Sequence, residues 1–127
     1  MDIIENVRKA TELLNEVEEY GATLFDKLSV LDSKEQDLLH YIENNRINVL
    51  WCFKMVREIK NIRLERRKVK NDMELIYKFN ESKNKLASKE NRPFIITELN
   101  KRAKLFDAPY KNRQYTDEEL RNILGGK

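Results

Sequence analysis

Residues that turn or break a backbone are scarce in this chain, with three glycines and two prolines among 127 residues. So few breakers argue against a turn-rich all-β fold and predict long uninterrupted helices. A single thiol, Cys52, excludes an intramolecular disulfide and a zinc site built on several thiolates. No run approaches the ~20 apolar residues that a membrane-spanning helix needs. Charge interrupts Met1 to Tyr20 every few positions, so no secretory leader is expected and a soluble, cytoplasmic protein is. Gly21, Gly125 and Gly126 cannot build a phosphate-cradling loop, and neither a nucleophile elbow nor His-Glu-x-x-His occurs.

What the chain has in quantity is charge, 37% of its residues, and that charge is unevenly placed. Residues 1–46 hold five basic and 11 acidic side chains, a net of −6, whereas residues 47–127 hold 20 basic and 11 acidic, a net of +9. Opposite halves suit a basic surface for an anionic partner, or two segments that neutralise each other within the fold.

The clearest pattern lies at the start. Ile3, Val7, Ala10, Leu14, Val17, Gly21, Leu24, Leu28 and Leu31 follow at alternating spacings of four and three, the seam of a coiled coil or bundle helix. Gly21 either admits a close neighbour or breaks the helix, and the seam beyond it favours continuation over residues 2–31. Asp32 and Ser33, each with Glu35 or Gln36 three residues on, resemble capping boxes and predict a new, shorter helix. Asn44-Asn45 marks a bend or a stop for it.

From residue 48 to 86 no glycine or proline occurs, and rows at sevenfold spacing predict one helix of roughly 60 Å. The rows, such as Val49, Val56, Arg63, Lys70 and Tyr77, are apolar at their ends and charged in the middle. Pro93 opens a short helix carrying Ile95, Leu99 and Phe106. Thr116 to Glu119 caps a last one that stops at Gly125-Gly126. The expected fold is therefore all-α, an elongated coiled-coil-like hairpin over residues 1–87 with short helices and a tail over 88–127 packed on it.

Few residues carry catalytic potential. His40 stands between Asp37 and Glu43 on one helix face, but a bundle metal centre needs several more ligands. Cys52, in Val-Leu-Trp-Cys-Phe, is expected in the core with an unreactive thiol. Tyr41, Trp51, Phe53 and Tyr77 are likewise expected in the core. Tyr110 and Tyr115 flank Lys111 and Arg113 in an aromatic and basic mixture that recurs at interfaces. The inventory predicts a non-enzyme with no cofactor, metal or small-molecule substrate.

The strongest functional signal is basic. Residues 54–70 carry eight cations against Glu58 and Glu65. Three roles fit: pairing with Glu16, Glu18, Glu19 or Asp26 of an antiparallel neighbour, an acidic protein partner, or nucleic acid. The cations wrap around the helix, whereas a dedicated phosphate surface would concentrate on one side. Arg57, Lys60, Arg63, Arg66, Arg67 and Lys70 are the expected partner-binding residues. Two helices have few layers to bury their seams, so a homodimer through Ile3, Val7, Leu14, Val17, Leu24 and Leu28 is expected. The rival lays the first helix along the long one inside a monomer.

Gln36 to Glu43, followed by Ile62-Arg63-Leu64-Glu65-Arg66-Arg67-Lys68-Val69-Lys70-Asn71-Asp72, resembles small helical proteins of phages and prophages of low-GC Gram-positive bacteria. The likeness covers about residues 30–76. It implies a bacterial host cytoplasm and, by analogy, an accessory factor that binds a host or phage protein, such as an inhibitor of a defence system. The functional expectation is a protein–protein interaction protein, with nucleic-acid binding through the basic helix as the alternative.

Overall fold

A computed structural model describes residues 1–125, and among these the regular structure is entirely helical. The first helix, α1, spans Ile3–Asn44, and the second, α2, spans Val49–Ser82. Asp2 caps α1 by accepting the Glu5 amide at 3.1 Å, and Asn48 caps α2 by accepting the Trp51 amide at 2.9 Å. Between them Asn45 turns extended and its side chain donates to the Tyr41 carbonyl, so the Asn pair acts as a stop. No helix is long and apolar enough to cross a membrane among the described residues.

The two helices form an antiparallel hairpin. Contacts step in opposite directions along them: Gly21 with Ile76, Asp32 with Arg66, Glu35 with Arg63 and Tyr41 with Trp51. Leu24, 1% exposed, and Leu31 from α1 are buried, as is Ile62 from α2. Leu28, Val69 and Ile76 are half-buried. Gly21 allows the closest approach, because a Cβ there would stand 3.1 Å from Ile76 Cγ2.

Beyond α2 the chain tightens into a 3-10 segment at Lys83–Ala87, then reverses into α3, Arg92–Lys104, with Pro93 in its first turn. The buried Ile95 anchors α3, which runs back along α2 through Glu98–Lys78 at 3.7 Å and Arg102–Glu74 at 3.1 Å. A second 3-10 turn, Leu105–Asp107, leads to an extended stretch and to α4, Asp117–Ile123. The predicted capping box of α4 is present between Thr116 and Glu119, yet α4 buries no residue and only Leu120 is half-buried. Gly125 lies in the left-handed region at φ +71°, as a helix-terminating glycine does. Gly126, the other half of the predicted stop, lies outside the described residues.

The hairpin corrects several expectations. The helix predicted over 2–31 and the shorter one after it are a single helix, because Asp32 and Glu35 spend their carboxylates on Arg66 and Arg63 across the hairpin instead of capping a new start. Cys52 is exposed, in the first turn of α2 and off the face that turns toward α1. Tyr41, Trp51, Phe53 and Tyr77 are exposed too. Two helices offer one shared face, and an aromatic off that face has nothing above it. Tyr41 and Trp51 instead stack on each other at 6.4 Å across the turn.

The seam divides in two. Leu24 is fully spent within the hairpin and Leu28 is half-buried there, so Leu24 is unavailable to a second chain. Ile3 and Val7 are 70% and 59% exposed, and Leu14 and Val17 are exposed as well. At 1.5 Å per residue α1 is about 63 Å long and α2 about 51 Å, and on the pairing register the first turns of α1 lie past Ser82. The surface of 11158 Å² compares with about 7,100 Å² for a compact monomer of this mass.

Leu24→Ala should lower stability by about 2–5 kcal/mol through the cavity it leaves. Gly21→Val should cost about 1–3 kcal/mol by crowding Ile76. Ile3→Ala should stay within about 0.5 kcal/mol for the single chain, all read from urea unfolding of the three variants at high dilution. Tyr20 donates its hydroxyl to Asp72 at 2.5 Å, and that bond to a carboxylate, with burial and the Asp72 charge, raises the phenol above 10.0. The folded state thus holds this proton more tightly, so the contribution is complete below pH 10 and is lost as pH rises through the folded-state value. Tyr20→Phe should remove that alkaline decline from a pH series of melting temperatures.

Candidate partner-binding groove

The charged middle of α2 is where the sevenfold rows lose their apolar character, and the structure divides its cations between two tasks. Arg63 Nη1 donates to Glu35 Oε1 at 2.6 Å and Arg66 Nε donates to Asp32 Oδ1 at 2.5 Å. These two tie α2 to α1. The expected internal pairing thus exists for them, but with Asp32 and Glu35 in place of Glu16, Glu18, Glu19 or Asp26. The register decides this, because those four residues lie farther toward the start of α1 than the level Arg63 and Arg66 face.

Arg57, Lys60, Arg67 and Lys70 are exposed, and among the described residues none has a carboxylate within the 4.0 Å of an ion pair. Lys60, Arg67 and Lys70 share one side of α2 with Arg63 and Arg66, and together they line a groove of about 1220 Å³. Arg57 lies outside it. The opposite wall comes from the C-terminal segment, through Arg102, Leu105, Phe106, Tyr110 and Arg113. The fold-back of α3 along α2 places that wall. Seven cations line the groove against one carboxylate, Glu74, which Arg102 occupies at 3.1 Å.

The groove is amphipathic. Val56, Ile59 and Leu64 supply apolar surface from α2, and Leu105, Phe106 and Ala108 supply it from the far wall. An apolar floor with uncompensated cations at Lys60, Arg67, Lys70 and Arg113 suits an elongated acidic ligand that also has an apolar side. Sequence reasoning missed Arg102, Leu105 and Phe106 as groove residues. Only Tyr110 and Arg113 left a signal, as aromatic and basic neighbours in a connector.

The remaining candidates do not converge. His40 Nδ1 stands 3.5 Å from Glu43 Oε2 with both side chains exposed, and no three His, Cys, Asp or Glu residues among those described are grouped to hold a metal ion. Cys52 lies on the exposed first turn of α2.

No protein-family model, curated protein or solved structure matches the chain.

The division of labour predicts opposite responses to charge reversal. Arg66→Glu sets two carboxylates together at Asp32 and should lower stability by about 1 kcal/mol. The triple variant K60E/R67E/K70E alters exposed, unpaired positions and should change the stability of the single chain by no more than about 0.5 kcal/mol per site, read by circular dichroism during thermal melting at high dilution.

Proposed function

We propose that the protein is a non-enzymatic interaction protein whose groove between α2 and the C-terminal segment receives an acidic, amphipathic segment of another protein. The observation that carries this reading is the juxtaposition of four uncompensated cations, Lys60, Arg67, Lys70 and Arg113, with apolar surface on both walls of one groove. Arg is favoured where a carboxylate must be held in fixed geometry, and apolar contacts retain a partner when salt screens the charges. The likeness of residues 36–43 and 62–72 to small helical phage and prophage proteins supplies the setting: a host or phage protein as target in a bacterial cytoplasm, with inhibition of a defence system as one outcome of binding.

Nucleic acid is the second reading, favoured by Tyr110 beside Arg113 at the groove's edge, where a base can stack while cations meet phosphates. The two differ in their salt response. Phosphate binding falls by about 0.9 in log K per log unit of salt for each phosphate neutralised on duplex DNA, whereas an interface with an apolar core falls less.

The test is capture from a bacterial lysate with and without nuclease, repeated with K60E/R67E/K70E. One protein is expected to be retained after nuclease and lost from the triple variant. Retention that depends on nucleic acid alone makes the second reading the correct one.

A further inference from the structure

The groove has a counterpart on the same molecule. Residues 1–20 carry six carboxylates against Arg8 and Lys9, a net of −4, and they include the unburied half of the seam, Ile3, Val7, Leu14 and Val17. This acidic, amphipathic helical segment is the class of ligand the groove suits. Laid against its own copy it would set four excess negative charges against four more, which disfavours pairing of stripe with stripe. Against Lys60, Arg67 and Lys70 the charges are complementary.

The dimensions agree. The stripe from Ile3 to Val17 is about 21 Å long, and the groove from Val56 to Glu74 runs about 27 Å along α2. In one chain the segment cannot reach its own groove, because α1 is continuous from Ile3 to Asn44 and holds the stripe at the open end of the hairpin, past the level of Ile76 and so past the groove. A second copy, antiparallel and side by side, brings each stripe to the level of the other's groove, and a two-fold axis satisfies both contacts at once. The surface in excess of a compact monomer, about 4,000 Å² per chain by the size scaling, is ample for a stable interface.

We infer that the free protein is a reciprocal dimer in which the acidic start of α1, through Ile3, Val7, Leu14 and Val17, occupies the basic groove of a second copy. The inference rests on the reading of the groove as a site for acidic amphipathic segments, and it adds that a foreign partner must displace the sister chain. Self-association then regulates access to the groove.

Sedimentation of the full chain at tens of micromolar provides the test, with two variants at exposed positions whose helicity is checked by circular dichroism. V7D/L14D spoils the stripe and leaves the groove, while K60E/R67E/K70E spoils the groove and leaves the stripe. The wild type is expected at twice the chain mass and each variant alone at the chain mass. An equimolar mixture of the two variants should recover association, since one intact stripe then meets one intact groove. A monomeric wild type overturns the inference, and so does a K60E/R67E/K70E variant that remains dimeric, which would mean stripe pairs with stripe. Capture of a foreign protein separates the two readings. If the monomeric V7D/L14D variant binds that protein more strongly than the wild type does, groove and displacement both hold. If capture persists while the wild type is monomeric, the groove reading stands without the dimer; if the dimer forms and nothing else is captured, the foreign-partner reading falls.

Discussion

One apolar seam, shared between α1 and α2, is the constraint on which the rest of the molecule depends. Among the described residues Leu24, Leu31 and Ile62 are its buried apolar members, and Ile95 is the comparable anchor from α3. A hairpin with one seam cannot become a globule, because each helix has a single covered face and the remainder meets water. The large surface, the exposed aromatics of α2 and the accessible Cys52 all follow from that geometry. So does the close contact of Gly21 with Ile76, where the absent side chain lets two long helices approach instead of splaying.

Charge then arranges what the seam cannot. The acidic first half and the basic second half lie side by side, but they neutralise each other only where the register brings them level, at Asp32 with Arg66 and Glu35 with Arg63. Elsewhere the excess is left over. The acidic excess remains on the overhanging start of α1, and the basic excess collects along α2 where α3 and its following turn build a second wall. A groove and a segment of opposite character, each with apolar surface, result: the fold-back of α3 along α2 makes the first, and the overhang of α1 past α2 makes the second.

The fold class and much of the layout were legible in the residues themselves. The four-and-three spacing from Ile3 to Leu31, the breaker-free stretch after Asn48, Pro93 and the Thr116 capping box all act within a few residues, so local chemistry marks them. The capping signal at Asp32 and Ser33 misled for the complementary reason. A side chain that can cap a helix can equally bond across to another, and an arginine 34 residues away made that choice. The core assignments of Cys52, Trp51, Phe53 and Tyr77 failed because periodicity identifies an apolar face without saying whether anything covers it.

By itself the sequence determined that the chain is helical, where most of its helices begin and end, and that its charge is divided between halves, because propensity, capping and composition are local properties. Tertiary structure alone decided that α1 runs on through Asp32 to Asn44, that Arg63 and Arg66 are struts while Lys60, Arg67 and Lys70 remain unpaired, and that Leu105, Phe106 and Arg113 face α2 across a groove. Those outcomes depend on the register of one helix against another and on the fold-back of α3. Register is set by the sum of many side-chain contacts along the seam, which no single position in the sequence displays.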